Sequence, residues 1–253
     1  MSETAIKTRL YVSAPLTAQT PLLLEGDQAH FLSRVLRLQS GDAVALFNGR
    51  DGLWRATVQE LRKKQVDLRI ESQLKPQTTV PDCRVCFAPI KFGKIDYLAQ
   101  KMTELGAAAL QPVLTQYTNV NRVNTERLHS NAIEAAEQCE RLSIPDVHEP
   151  VSLPELLAAW PKDLPLVFAD ESGACPPVRD QLNTAPVPNG WGILIGPEGG
   201  FAPEEGELIR AQPYTIGIGL GPRILRADTA ALSLLAITQT YWGDWHQAPH
   251  FMP

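Results

Sequence analysis

The sequence predicts an α/β protein in two parts, a small β-barrel domain followed by a larger domain built on a mostly parallel sheet. About the first seventy residues form short apolar runs separated by turn signals, with one helical pattern among them. A polar segment with two prolines, Lys75–Pro81, then interrupts the pattern. After it, strand and helix patterns alternate, which is typical of a parallel sheet covered by helices. We therefore place the domains at residues 1–74 and 82–253.

The N-terminal domain contains five predicted strands and one helix. The strands are Thr8–Val12, Pro21–Leu24, Asp42–Phe47, Leu53–Leu61 and Gln65–Glu71. The helix covers about Asp27–Leu38, with its apolar residues on one face and His30, Arg34 and Arg37 on the polar side. This composition indicates a barrel with one helix packed on it.

The second domain alternates five strands with four helices. The predicted strands are Cys83–Ile90, Leu110–Leu114, Pro165–Ala169, Trp191–Ile195 and Tyr214–Ile218. The predicted helices are Lys94–Leu105, Glu126–Arg141, Pro203–Ala211 and Thr229–Tyr241. Gly106 directly follows the first helix and is expected to terminate it.

Charge and hydropathy limit the possible partners. The net charge of −5 argues against a purely electrostatic nucleic-acid binder, but residues 1–75 hold 11 basic and 8 acidic residues, a local charge of +3. A modest RNA-binding surface on the N-terminal part is therefore compatible with the acidic remainder. No apolar run approaches the ~20 residues that span a bilayer. No secretory signal pattern is present, so a cytoplasmic location is expected.

The cysteine pattern does not predict a metal site. Cys83 and Cys86 have the spacing of half a zinc knuckle, but their surroundings read as a strand. An odd spacing on a strand puts the two thiols on opposite faces. No second CxxC and no closely spaced histidine pair follows. We expect two buried small hydrophobic residues and no bound metal.

Two glycine- and proline-rich segments are the strongest candidates for a functional site. Residues 194–201 read LIGPEGGF, and residues 220–230 read LGPRILRADTA. Each follows a predicted strand, where open α/β sheets bind ligands. The segments predict a small ligand held largely by backbone groups, with two structural turns as the alternative. No P-loop pattern occurs, and the Gly217-x-Gly219-x-Gly221 run lacks the spacing of a dinucleotide fingerprint.

The two segments closely resemble the C-terminal motifs of the RsmE family, the 16S rRNA uridine N3-methyltransferases of the SPOUT superfamily. Three upstream segments agree in order with that family: HFLSRVLRLQSGD (His30–Asp42), KMTELG (Lys101–Gly106) and EQCxR (Glu137–Arg141). The similarity covers nearly the whole chain. One departure is Asp228, where the family more often has glutamate.

The resemblance implies a fold, a cofactor and partners. It implies a SPOUT-type C-terminal domain with a deep trefoil knot, preceded by a PUA-like β-barrel that helps to hold RNA. It also implies S-adenosylmethionine as the cofactor, 16S rRNA or the 30S subunit as the substrate, and a homodimer. Methyl transfer from a sulfonium is a direct displacement, so neither a metal nor a covalent enzyme intermediate is required.

Site roles follow from the motifs and the chemistry of uracil. The expected cofactor-binding residues are Leu194, Gly196, Pro197, Glu198, Gly199, Gly200, Ile218, Leu220, Arg223, Leu225 and Thr229. Residues 168–171 would form a third loop of the site. Uracil N3 must lose its proton before it attacks, so the site needs a base or a stabilising cation. Arg226 is the candidate cation, or a structural partner of loop carbonyls. Glu198 is the candidate base, or a ligand of backbone amides.

A set of basic residues is predicted to contact RNA: Arg9, His30, Arg34, Arg37, Arg50, Lys94 and Arg141. Glu137 and Arg141, four residues apart, suit either a surface ion pair or a contact with RNA or with the second copy of a dimer. Three alternative functions stay open: another SPOUT RNA methyltransferase acting on a tRNA base or a ribose 2′-hydroxyl, a non-catalytic RNA-binding or ribosome-assembly protein, and a nucleotide-dependent oxidoreductase.

Overall fold

The computed structural model describes residues 5–91, 94–120, 122–183 and 185–248. The chain forms two compact units. The first unit comprises Met1–Thr79 together with Ala136–Ser143, and the second comprises Val80–Ala135 with Ile144–Pro253. The predicted change from a β-rich pattern to alternating strands and helices is confirmed.

The first unit is built on a five-stranded sheet. Its strands are β1 (Ile6–Tyr11), β2 (Pro21–Glu25), β3 (Ala43–Phe47), β4 (Leu53–Leu61) and β5 (Gln65–Lys75). Their order is β1-β3-β4-β5-β2, with β1 and β3 parallel and the other pairs antiparallel. Every residue of β3 is buried, whereas β4 and β5 are only partly buried, so β3 lies at the centre of the core.

The helix of the first unit is shorter than predicted. It consists of α1 (Gly26–His30) followed by a π-helical turn at Phe31–Val35, which ends with the Leu36 amide bonded to the Phe31 carbonyl. Arg37 lies beyond it, in a left-handed conformation with φ 54°. The prediction that Arg34 and Arg37 share a helical face is therefore wrong, because the wider π turn ends the helix between them.

The second unit contains a seven-stranded parallel sheet with six helices among the described residues. The strands are β6 (Asp82–Phe87), β7 (Ala109–Leu114), β8 (Asp146–Val147), β9 (Val151–Ser152), β10 (Leu166–Ala169), β11 (Gly190–Ile195) and β12 (Thr215–Ile218). The helices are α2 (Lys94–Glu104), α3 (Thr125–Gln138), α4 (Leu153–Ala159), α5 (Val178–Leu182), α6 (Pro203–Arg210) and α7 (Ala227–Trp242). The strand order is β12-β10-β11-β6-β7-β8, and β9 pairs with β7.

Both faces of this sheet are covered by apolar side chains. Cys83 belongs to the core cluster that contains Met102 of α2 and Leu234 of α7. Cys86 belongs to the cluster on the other face, with Leu157 of α4. The predicted placement of the two cysteines on opposite faces is confirmed. The described residues also contain no cluster of groups that could hold a metal ion.

The sequence prediction missed the short elements β8, β9, α4 and α5. Of these, α4 carries a clear local signal: the Ser152 side chain accepts a hydrogen bond from the Glu155 amide, and Glu155 accepts one from the Ser152 amide. The predicted helix to Arg141 is also too long. It ends at Gln138, and Glu140 turns the chain with φ 62°, so Arg141 does not continue the helical face of Glu137.

The burial of the sheet cysteines predicts their reactivity. Desolvation raises the pKa of Cys86 to about 12 and that of Cys83 well above its ordinary value. Because only thiolates react, both should resist an aromatic disulfide reagent near pH 8 until the protein unfolds, whereas the exposed Cys139 should react at once. A Cys139→Ser variant is the control and should lose the fast phase. Fast native-state labelling of Cys83 or Cys86, identified by peptide mass spectrometry, would contradict the buried sheet.

Candidate functional site

A cavity opens where three neighbouring parallel strands of the second unit end. β10 lies between β11 and β12, with Phe168 opposite Leu194 on one side and Gly217 on the other. The segments that follow are the β10 loop (residues 170–177), the β11 loop (196–202) and the β12 loop (219–226). All three line a single cavity of about 520 Å³ at the carboxyl edge of the sheet. The two glycine-rich segments thus face the same space, together with the predicted third loop.

Two glycines let the β11 loop approach its neighbours closely. Gly200 has φ +71°, and a Cβ atom there would overlap Glu171 Oε1 of the β10 loop. At Gly196, an added Cβ would lie 3.2 Å from the Phe201 ring. Only glycine fits Gly200 without strain, because it combines the left-handed backbone with the close approach. The β11 loop is therefore packed closely against the β10 loop, and Gly196 and Gly200 both line the cavity.

Asp170 organises the β10 loop. One of its oxygens accepts a hydrogen bond from the Ser172 amide at 2.9 Å, and the other accepts from the Cys175 thiol at 3.1 Å and from Arg210 at 2.9 Å. Burial acts to raise the pKa of Asp170, but these bonds and the Arg210 charge outweigh it, so the pKa lies below its ordinary value. Asp170 is consequently an anchor and not a proton acceptor.

Arg210, which donates to Asp170, passes close to a glycine one helical turn earlier. Gly206 lies inside α6, where glycine costs about 1 kcal/mol relative to alanine. An added Cβ at Gly206 would lie 3.1 Å from Arg210 Nη2, tighter than an ordinary contact. Both residues line the cavity. The glycine therefore leaves room for the guanidinium to fold over α6.

Cys175 is a structural donor in the cavity wall. Burial and the neighbouring Asp170 raise the pKa of its thiol to about 11, so the thiol stays protonated at neutral pH. Its sulfur occupies the space that a side chain at Gly217 would need. Sequence reasoning missed Cys175, Arg210 and Gly206 as site residues. A carboxylate ending a buried strand, as Asp170 does, was the available signal for this cluster.

The structure brings most of the predicted cofactor-binding residues to the cavity, but not all. Those that line it are Gly196, Pro197, Glu198, Gly200, Leu220, Arg223 and Leu225. Leu194 and Ile218 do not, because both side chains are buried in the core beneath the loops. Gly199 lies on the outer side of the β11 loop against Tyr117, and Thr229 is an exposed residue of α7.

The two predicted catalytic residues lie at the edge of the cavity. Glu198 is exposed and lines it. Arg226 precedes the first residue of α7 and is also exposed. Its neighbours Leu225 and Ala227 line the cavity, whereas Arg226 itself does not. Arg226 can therefore meet a molecule that approaches from outside the cavity, and its catalytic role stays a prediction.

An ion pair fixes the start of α7. Lys94 Nζ lies 3.0 Å from Asp228 Oδ2. The bond from Lys94, followed by the Thr229 amide, lowers the pKa of Asp228 against the opposing effect of burial. Lys94 was predicted as an RNA contact, and Asp228 is the position that departs from the family pattern. The shorter carboxylate still reaches its lysine and holds α2 next to the segment that contains Arg226.

The predicted RNA-binding residues of the first unit divide into exposed and internal groups. His30, Arg34 and Arg37 are exposed, and so is Arg50, which donates to the Ser13 carbonyl at 3.3 Å. Arg9 is only 7% exposed and therefore not available to RNA: its guanidinium lies 4.9 Å from the Phe47 ring centre and donates to the Arg141 carbonyl.

Arg141 and Glu137 both bind within the first unit. The Arg141 side chain donates to the Ser143 hydroxyl at 3.0 Å, and the Glu137 carboxylate accepts the Tyr11 amide at 2.8 Å. Within the first unit, these bonds and the Arg9 bond to the Arg141 carbonyl attach residues 137–143 to β1. They indicate a structural role for this segment, whose sequence alone also suited RNA contact.

Two family models match the chain. The model described as RNA methyltransferase domain matches residues 77–239, and the model described as RNA methyltransferase PUA domain matches residues 24–71. No helix among the described residues has the length and apolar character needed to cross a membrane.

Curated relatives agree over most of their length. Ribosomal RNA small subunit methyltransferase E of Rickettsia conorii is 31% identical over 233 residues, covering 90% of this chain and 93% of the relative. The protein of the same name from Synechocystis is 32% identical over 232 residues, covering 90% and 76%.

Solved structures share the fold. A Legionella pneumophila protein with the bound cofactor SAM (S-adenosylmethionine) superposes with a TM-score of 0.85 at 30% identity, covering 95% of this chain and 100% of that one. Ribosomal RNA small subunit methyltransferase E of Neisseria gonorrhoeae, bound to S-adenosylmethionine, gives 0.84 at 26% identity, covering 94% and 99%.

The Asp170 anchor predicts a pH-dependent contribution to stability. In Asp170→Asn, the amide nitrogen is a donor and must face either the Ser172 amide or the Arg210 and Cys175 donors, so hydrogen bonds are lost. We expect the free energy of unfolding to fall by about 1–2 kcal/mol, a figure already reduced because Arg210 is partly exposed. Because the pKa of Asp170 is depressed in the folded state, the difference from wild type should be constant at neutral pH and shrink as pH falls below about 4.

Urea unfolding of both proteins across this pH range measures the effect. Glu207→Gln, an exposed carboxylate on the same helix α6, is the matched control and should change little. If the difference in unfolding free energy between Asp170→Asn and wild type persisted undiminished at low pH, the charge of Asp170 would not be what stabilises the loop.

Proposed function

This chain belongs to the family of ribosomal RNA small subunit methyltransferase E, and we propose that it methylates the N3 atom of a uridine in 16S rRNA. It is an S-adenosylmethionine-dependent rRNA methyltransferase. The observation that carries the proposal is the convergence of the β10, β11 and β12 loops on one cavity. The motifs LIGPEGGF and LGPRILRADTA supply two of those loops.

The residues of the cavity fit S-adenosylmethionine. Its volume of about 520 Å³ falls within the roughly 300–1,000 Å³ of typical small-molecule sites. The β11 loop lines the cavity with Gly196 and with Gly200, whose amide is bonded to the Pro197 carbonyl, and Leu220 and Leu225 of the β12 loop offer apolar contact. The acidic Glu171 and Glu198 suit a cationic sulfonium or an ammonium group. When bound, this cofactor supplies a methyl group activated for direct displacement.

The protein must then activate the base that accepts the methyl group. Uracil N3 carries a proton and becomes a good nucleophile only as an anion, so this proton would pass to Glu198, the candidate base in the cavity wall, or to water. A cation beside the base stabilises that anion, and a fixed, partly desolvated cation is more effective than water. Arg226 is the candidate for this role, and its exposure next to Leu225 and Ala227 of the cavity wall supports the proposal. Lys94 and Asp228 would hold the start of α7, and hence Arg226, in position.

The first unit would hold the RNA strand. Its exposed basic residues His30, Arg34, Arg37 and Arg50 suit phosphate contacts, which position an RNA without reading its sequence. The acidic remainder of the chain repels RNA and so confines its binding to this basic surface. Arg9 and Arg141 would support the unit from within.

The trefoil knot and the homodimer also belong to this proposal. Both are implied by the resemblance to the SPOUT superfamily and are consistent with the shared fold of the solved relatives. A dimer would place a second copy beside the cofactor cavity. Light scattering coupled to size-exclusion chromatography gives the mass in solution, and a monomer would exclude this part of the proposal.

Methyl transfer to ribosomal subunits tests the function directly. The protein, radiolabelled S-adenosylmethionine and 30S subunits that lack the modification should yield labelled 16S rRNA. Nucleoside mass spectrometry should identify the product as 3-methyluridine. A 2′-O-methylated product, or labelling of tRNA alone, would refute the N3 assignment. Calorimetric binding of S-adenosylmethionine without any transfer would indicate a binding protein.

Substitution of Arg226 tests the proposed charge stabilisation. Arg226→Ala should lower kcat by about 100-fold, as loss of one such electrostatic contact typically does, with little change in S-adenosylmethionine affinity. Arg226→Lys keeps the charge and should recover part of the rate. The measurements are single-turnover methyl transfer and calorimetry. Equal turnover in wild type and Arg226→Ala would show that Arg226 has no catalytic role.

A further inference from the structure

Tyr117 is an exposed aromatic residue on the outer side of the β11 loop, and the proposed reaction does not use it. It lies in the β7 loop (residues 115–120), which follows β7 at the same edge of the sheet as the three cavity loops. Its side chain is 42% exposed. An added Cβ at Gly199 would lie 3.4 Å from Tyr117 Cβ and 3.7 Å from the nearest ring carbons. The base of the ring therefore packs on the outer side of the β11 loop.

The position of Tyr117 is fixed by bonds on both sides. The Thr118 amide donates to the Thr115 carbonyl at 3.1 Å, and the Thr115 amide donates to the Thr118 hydroxyl at 2.9 Å, which closes a tight turn. The Gln116 amide donates to Glu205 Oε1 at 2.8 Å. The other Glu205 oxygen accepts the Ala202 amide at 3.0 Å. One carboxylate thus ties the β7 loop to the end of the β11 loop.

The charge around Tyr117 limits what it can bind. Glu198 is exposed beside Gly199, and Glu205 lies under the turn. These carboxylates disfavour a phosphate, whereas an exposed ring offers its face to any planar group. Tyrosine loses little conformational entropy on stacking, and the turn has already ordered it. An RNA base is the planar group that a base-modifying enzyme brings to this edge.

We propose that Tyr117 is a stacking platform for a nucleobase of the RNA substrate on the outer side of the β11 loop, whose other side lines the cofactor cavity. This inference rests on the proposed function, because it takes RNA as the substrate. Stacking on Tyr117 would hold the strand against the β11 loop while the target uridine enters the cavity. Tyr117 is accordingly a positioning residue that touches the substrate outside the reacting atoms.

Binding of unmethylated 30S subunits in the presence of S-adenosylhomocysteine tests the proposal without turnover. Stacking on an aromatic ring contributes enough that Tyr117→Ala and Tyr117→Leu should each weaken binding by about 5- to 100-fold. Tyr117→Phe keeps the ring face and should bind like wild type. The dependence of affinity on salt should keep its slope in all variants, because no phosphate contact is lost.

Two controls separate stacking from a structural role. S-adenosylmethionine affinity, measured by calorimetry, should be unchanged in Tyr117→Leu; a loss would mean that the ring only supports the β11 loop. Tyr241→Ala removes an equally exposed tyrosine at the opposite edge of the sheet, next to Trp242, which contacts Trp191 at the start of β11. That variant should bind 30S subunits like wild type.

The possible failures are distinguishable. Wild-type binding by Tyr117→Leu, or an altered salt slope, overturns the stacking proposal while methylation by the wild-type protein still supports the proposed function. If the wild-type protein binds 30S subunits but does not methylate them, the proposed function fails. A weakened Tyr117→Leu complex would in that case still support stacking on RNA.

Discussion

The register of three short parallel strands determines where every part of the cavity lies. β10 has only four residues, yet it pairs with β11 on one side and β12 on the other, and Phe168 aligns with both Leu194 and Gly217. Since parallel neighbours end at the same edge, this alignment brings three loops that are distant in sequence to one point. A shift of one residue would also exchange the faces of the buried side chains, so the two core clusters fix the register.

The loops then need separate means of keeping their shape, because backbone binding works only if peptide groups stay in place. The β10 loop is held by the Asp170 carboxylate and its Arg210 partner on α6. The β11 loop is held by Gly200 against Glu171 and by Glu205 at its end. The β12 loop leads directly into α7, whose first turn is fixed by Lys94 and Asp228. Each loop is therefore attached to a helix or loop outside itself.

The sequence predicted those features that depend on residues close together in the chain. The two glycine-rich segments, the alternation of strands and helices and the opposite faces of Cys83 and Cys86 all depend on residue spacing alone. The burial of Arg9 could not be predicted in this way, because its contact with Phe47 and its bond to Arg141 join residues far apart in the chain. The end of α3 was misjudged because Glu140 adopts a left-handed backbone that glutamate rarely shows. Arg210 was missed because its contact with Asp170 joins helix α6 to a loop forty residues earlier in the chain.

The position of β10 has a consequence for synthesis of the protein. Both of its neighbours, Gly190–Ile195 and Thr215–Ile218, come later in the chain, so the apolar strand Leu166–Ala169 emerges from the ribosome before either partner. Until β12 has been made, one edge of a fully apolar strand is unpaired, which is the condition under which nascent chains associate wrongly or recruit chaperones. An enzyme that modifies ribosomes would thus depend on the ribosome's own pace of elongation to complete its sheet.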